Sequence, residues 1–118
     1  MVREVDRVIR TAAERLAQAT GAEAIILFGS RARGDNSPDS DWDLCVVLPD
    51  DIEPQQFTPS KLWKIVADLN AGIQVYPIRR SVLEAKKDDP NSVSHDIAKE
   101  GLIILGELHS SIFADRVQ

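Results

Sequence analysis

Along the first twenty residues, apolar side chains at Val5, Val8, Ile9, Ala12, Ala13 and Leu16 recur every three or four positions, with Arg and Glu between them. This spacing places them on one stripe and predicts an amphipathic helix over roughly 2–20, stopped at Gly21. The period then changes. Ala22–Phe28 is a short apolar run rich in β-branched residues, which predicts a strand buried on both faces and ending at Gly29. Residues 35–40 collect Asp, Asn, Ser and Pro, a turn composition, and Asp41–Leu48 resumes as a second strand expected to pair with the first. Residues 49–58 read as a polar surface loop. The apolar positions Leu62, Trp63, Ile65, Val66 and Leu69 predict a helix that begins near Pro59 or Ser60 and stops at Asn70-Ala71-Gly72. A third strand over Ile73–Ile78, a helical turn over Ser81–Lys87, a short helix over Ser92–Glu100 and a fourth strand over Leu102–Leu105 follow, punctuated by Asp88-Asp89-Pro90-Asn91 and Gly101. The remaining tail, 106–118, carries Leu108, Ile112, Phe113 and Val117 and reads as a helical packing or partner-binding segment.

These elements imply an α/β (α+β) fold in which a mixed sheet of about four strands is flanked by helices, all in a single domain spanning 1–118. Strand order is not readable from the pattern. The composition, 43% hydrophobic and 28% charged, is that of an ordinary globular chain. A net charge of -5 argues against general nucleic-acid binding, which clustered Lys and Arg drive. Cys45 is the only cysteine, so no intramolecular disulfide forms, and its apolar neighbours make it a core residue in a reducing, cytoplasmic setting. No apolar run approaches membrane-spanning length, so no membrane insertion is expected. His95 and His109 lack partners at ligand spacing, which argues against zinc.

The chemistry is concentrated in the segment from Phe28 to Leu44. Gly29 lacks a Cβ, so backbone can approach a ligand there, and amides at a strand-to-helix turn can donate to a phosphate with the Ser30 hydroxyl beside them. Ten residues on, Asp41 and Asp43 alternate with Trp42 on a strand and so project from one face, with Trp42 turned to the core. Two carboxylates this close favour a shared cation, and hard oxygen ligands suit Mg²⁺, with triphosphate oxygens completing its coordination. Either motif alone is common by chance, a tight turn or a solvated strand edge. Together, with Ala32-Arg33-Gly34 between them and apolar strands on both flanks, they point to one site.

In these residues the chain resembles the minimal nucleotidyltransferases of the DNA polymerase beta superfamily, of the kind paired with HEPN proteins as antitoxins. The similarity extends to the leading helix, the helix before Ile73 and the Ile97-Ala98-Lys99-Glu100-Gly101 ending. It implies Mg²⁺-dependent transfer of a nucleoside monophosphate, AMP from ATP, to an acceptor hydroxyl with loss of pyrophosphate. By position, Gly29 and Ser30 would hold the phosphates, and Asp41 and Asp43 would bind metal and carry catalysis. Arg33 would either bind phosphate or form a structural ion pair with a neighbouring carboxylate; Arg31 is open to the same two readings. The acceptor would lie on a HEPN-type helical partner, with a homo-oligomer as the alternative source of the missing surface.

One position departs from this pattern. Active members carry a third acidic residue on a neighbouring strand, and here that position falls on Gln74, an amide that neither bears charge nor acts as a base. Three readings follow: a degenerate site that binds nucleotide without turnover, a site rescued by Asp68, Asp96 or Glu100, or a different strand register. The rival function is accordingly a nucleotide-binding or antitoxin module that acts by protein contact, and transfer to a small hydroxylated molecule such as an aminoglycoside is a third.

Overall fold

The computed structural model describes residues 4–53 and 55–108. The leading amphipathic stripe forms α1, Glu4–Thr20, whose Ile9, Ala12, Ala13 and Leu16 are buried. Thr20 closes the helix by donating its hydroxyl to Leu16 O at 2.7 Å, and its Oγ1 accepts from the Ala22 amide. Strand β1, Ala24–Phe28, follows and is buried along its whole length. A four-residue helix α2, Ser30–Arg33, leads through a loop to β2, Trp42–Leu48. Helix α3, Pro59–Val66, starts where Thr58 accepts from the Lys61 amide, a cap worth roughly 1 kcal/mol. A 3₁₀ turn over Ala67–Leu69 then ends on Asn70, which takes the left-handed conformation at φ 53°.

Strand β3, Ile73–Arg79, is joined by α4, Arg80–Lys86, and α5, Val93–Glu100, to β4, Leu102–Gly106. The four strands form one mixed sheet in the order β3-β2-β1-β4, with β2 and β3 parallel and the other pairs antiparallel. This is the expected α+β architecture.

Both faces of the sheet are covered, which is why β1, and β2 from Leu44 onward, are continuously apolar instead of alternating. On one face α1 and α3 pack on Ile25, Leu27, Trp42, Leu44, Val46, Ile73 and Val75. On the other, Leu83 of α4 with Ile97 and Ala98 of α5 cover Ala24, Ile26, Phe28, Cys45 and Val47. Because Asp43 shares its strand face with Cys45 and Val47, the α5 side is where the chemistry lies. Cys45 is buried, and burial pushes its thiol far up, so it is inert core as expected. No helix among the described residues is long and apolar enough to cross a membrane. Leu108 packs against the α5-side core, whereas His109, Ile112, Phe113 and Val117 of the tail lie outside the described residues.

Candidate functional site

Strand β1 delivers the chain to Gly29, whose backbone sits at φ 79° and ψ −159°, a conformation essentially confined to glycine. The Gly29 carbonyl accepts from the amides of Ala32 at 3.0 Å and Arg33 at 3.1 Å, so α2 winds around it. Gly34, left-handed at φ 86°, closes this helix by donating to Ser30 O at 2.8 Å. The Ser30 and Arg31 amides have no acceptor among the described residues, as expected for the first turn of a helix.

The antiparallel register sets Phe28 opposite Asp43 and so brings the turn against the carboxylates. A Cβ built on Gly29 would collide with Asp43 Oδ2, which means that this backbone and this carboxylate are in direct contact. Asp41 lies one residue before β2 begins and is exposed, Trp42 is buried in the core, and Asp43 is half-buried. On the far side of the pair, the Trp42 amide donates to Gly72 O at 2.9 Å, and a Cβ on Gly72 would come within 3.3 Å of Asp41 Oδ1.

Burial raises the Asp43 pKa, and the charge of Asp41 raises it further; Arg33 pulls it down, and Glu100 adds to the rise. A carboxyl whose pKa is higher folded than unfolded favours the fold below the ordinary Asp range and costs stability as pH climbs through its folded value. Asp43→Asn is therefore expected to stabilise the metal-free protein at pH 7. The gain should fade as pH falls toward and below the ordinary Asp range, as followed by urea unfolding across a pH series. A gain that persists at low pH would show that charge is not its source.

The parallel pairing of β2 with β3 places Gln74 opposite Asp43, and the Gln74 amide nitrogen lies 3.5 Å from Asp41 Oδ2 as a long hydrogen-bond donor. The strand register thus does put an amide beside the carboxylate pair. Of the three acids considered for rescue, Asp68 is bound to Arg15 at 2.7 Å and Asp96 is exposed on α5. Glu100, read from sequence as an exposed helix residue, instead has only 16% of its side chain exposed. Its Oε2 accepts from the Gly29 amide and from Arg33 Nη1, each at 2.8 Å. The overlooked signal is helical spacing, since Glu100 lies three residues after the buried Ile97 on the sheet-facing side of α5.

Arg33 is thus paired with Glu100 and, through Nε at 3.0 Å, with Asp35, while Glu23 pairs with Arg80. Arg31 lies 4.3 Å above the Trp42 ring and donates to Ser40 O and Pro38 O, so it fastens the intervening loop. Tyr76, two residues beyond Gln74, meets Phe28 edge-on at 5.2 Å. Burial raises its pKa, and the charges of Asp43 and Asp41 add to the rise, which places its phenol in the field of the pair.

As a donor set, Asp41 and Asp43 suit a hard cation that keeps most of its coordination for water or phosphate oxygens. Among the described residues no three His, Cys, Asp or Glu converge into a closed protein-only cage. Asp41, Asp43 and Glu100 would also repel a triphosphate that arrived without a cation. The residues present therefore fit a hard divalent cation that keeps open coordination positions.

The family model described as "Nucleotidyltransferase domain" matches residues 7–104. Among solved structures, a nucleotidyltransferase-type crystal structure from Sulfolobus solfataricus is similar at 18% identity and a TM-score of 0.52, over 82% of this chain and 76% of that one. A structure titled as a toxin-antitoxin with AMP-PNP is similar at 15% identity and a TM-score of 0.56, over 89% of this chain and 78% of that one. A search of curated proteins returns no match. At these identities the two structures speak for the fold alone; the family match over most of the chain goes further. The chain belongs to the nucleotidyltransferase domain family.

Proposed function

We propose that this domain transfers a nucleoside monophosphate, AMP from ATP, to an acceptor hydroxyl in a Mg²⁺-dependent reaction. The observation that carries the reading is the contact of the Gly29 backbone with the Asp43 carboxylate, which makes the glycine turn and the acidic pair one site. In this reading Gly29, Ser30 and Arg33 form the phosphate-facing wall, and Asp41 and Asp43 hold the metal. A Mg²⁺ ion held by Asp41 and Asp43 would supply neutralisation of the charge on the phosphoryl oxygens. The acceptor oxygen bonds to the α-phosphorus as the bond to pyrophosphate breaks. Gln74 cannot take the hydroxyl proton, so that proton leaves to solvent or to an Asp of the pair.

The acceptor surface is expected on a protein partner of HEPN type, with this chain as the antitoxin. A structure of similar fold is titled as a toxin-antitoxin with AMP-PNP, which fits a protein partner in general.

One observation favours a second reading. Gln74 stands opposite Asp43 and leans on Asp41, which suits a site that binds nucleotide and acts by contact without turnover. Incubation with Mg²⁺, ATP labelled on the α-phosphate and the co-purifying partner separates the two. The wild type is expected to transfer label, and Gln74→Asp to do so about a hundredfold faster, the usual contribution of a positioned base. Metal-dependent binding with transfer only in Gln74→Asp would establish the second reading. Absence of ATP binding would overturn both.

A further inference from the structure

Glu100 contributes nothing to the reading above, yet its carboxylate is set against both the glycine turn and Arg33. A carboxylate largely removed from water must be repaid in hydrogen bonds. Here a single oxygen, Oε2, takes one from the Gly29 amide and one from Arg33 Nη1, both at 2.8 Å. The same placement sets a third negative charge within range of Asp43, with the Arg33 guanidinium offsetting it. Two further features hold it there. Gly101 follows with no room for a Cβ, since one would come within 2.6 Å of Ile26 Cγ2 and of Ile97 O, so α5 ends flush on β1. Asp35 grips Nε of the same guanidinium at 3.0 Å, leaving Arg33 Nη2 as the edge without a partner among the described residues.

We infer that Glu100 is a positioning residue: it locks the Gly29 backbone and the Arg33 guanidinium into the arrangement that receives the nucleotide's phosphates, without touching the nucleotide itself. This rests on the nucleotide-binding reading above. Holding both groups with one oxygen means that neither has to be ordered when the phosphates arrive, which is how a preorganised site gains affinity. It also accounts for the ion pairs of Arg33, because a guanidinium held on two sides still offers one edge of its fork.

Calorimetric titration of the wild type, Glu100→Ala, Glu100→Gln, Arg33→Ala and the Glu100→Ala/Arg33→Ala double variant with Mg²⁺-ATP tests this, with thermal unfolding run in parallel. Glu100→Ala is expected to weaken binding about tenfold. Glu100→Gln should fall between it and the wild type, since its amide oxygen still accepts from Gly29. The double variant should lose less than the sum of the two single losses, because Glu100 acts through Arg33. Wild-type affinity or tighter binding in a folded Glu100→Ala or Glu100→Gln would overturn the proposal while leaving the nucleotide reading intact. Strictly additive losses would overturn it too. A wild type that fails to bind Mg²⁺-ATP would instead remove the nucleotide reading, and this proposal with it.

Discussion

The Asp41→Ala/Asp43→Ala variant is expected to fold and to transfer no label from ATP, a loss of at least about 10³-fold. Removing one preorganised electrostatic contact from an active site typically costs roughly 10²–10³-fold, and here both protein ligands of the proposed metal go at once. The fold should survive because neither carboxylate is a core residue. Asp41 is exposed, and Asp43 is half-buried beside a like charge. Loss of that repulsion should leave thermal stability unchanged or raised, which separates this variant from one that is merely unfolded. The readings are ATP transfer, Mg²⁺-dependent ATP binding and the unfolding midpoint on the same samples. Retained metal-dependent binding in a folded double variant would place the metal elsewhere and end the assignment. The single variants add a finer point: Asp43 is the carboxylate set against the Gly29 turn, so Asp43→Ala should be the more damaging of the two.

The extent to which this outcome was legible beforehand differs between the fold and the site. Helix α1 is readable because the spacing of Val8, Ile9, Ala12, Ala13 and Leu16 leaves no other periodicity, and β1 because a run apolar on both faces must be covered twice. The order β3-β2-β1-β4 is not readable, since the return of β4 beside β1 depends on contacts between residues some eighty apart, such as Ala24 with Gly106. In the site, the Gly-Ser and Asp-x-Asp spacing is a local signal, and the parallel register that brings Gln74 beside Asp43 agrees with the pattern that singled it out. Glu100 escaped because a charged residue in a helix reads as solvated, and its partners Gly29 and Arg33 lie 71 and 67 residues away. Tyr76 escaped for a related reason: nothing in a strand sequence states which carboxylates its neighbour will carry.

Gly29→Ala is expected to combine both kinds of damage, destabilising the fold by roughly 2–4 kcal/mol and abolishing nucleotide binding. Two separate causes add. The backbone at φ 79° and ψ −159° is one that a side chain-bearing residue occupies only at a cost of about 1–3 kcal/mol. The new methyl would also fall on Asp43 Oδ2, so either the carboxylate swings away or the turn opens and gives up the Glu100 contact. Gly34 provides the comparison, since it too has a positive φ, 86°, but lies in the milder left-handed helical region and has nothing within 4 Å of its Cβ position. Gly34→Ala should therefore cost only about 1 kcal/mol, the conformational share alone. The steric share can be isolated again by introducing Gly29→Ala into an Asp43→Ala background, where the cost should shrink to the conformational share of about 1–3 kcal/mol. Equilibrium urea unfolding of the four variants measures this. If Gly29→Ala cost as much in the Asp43→Ala background as in the wild type, the turn and the carboxylate would not be in contact, and the joining of phosphate turn to metal pair would lose its structural basis.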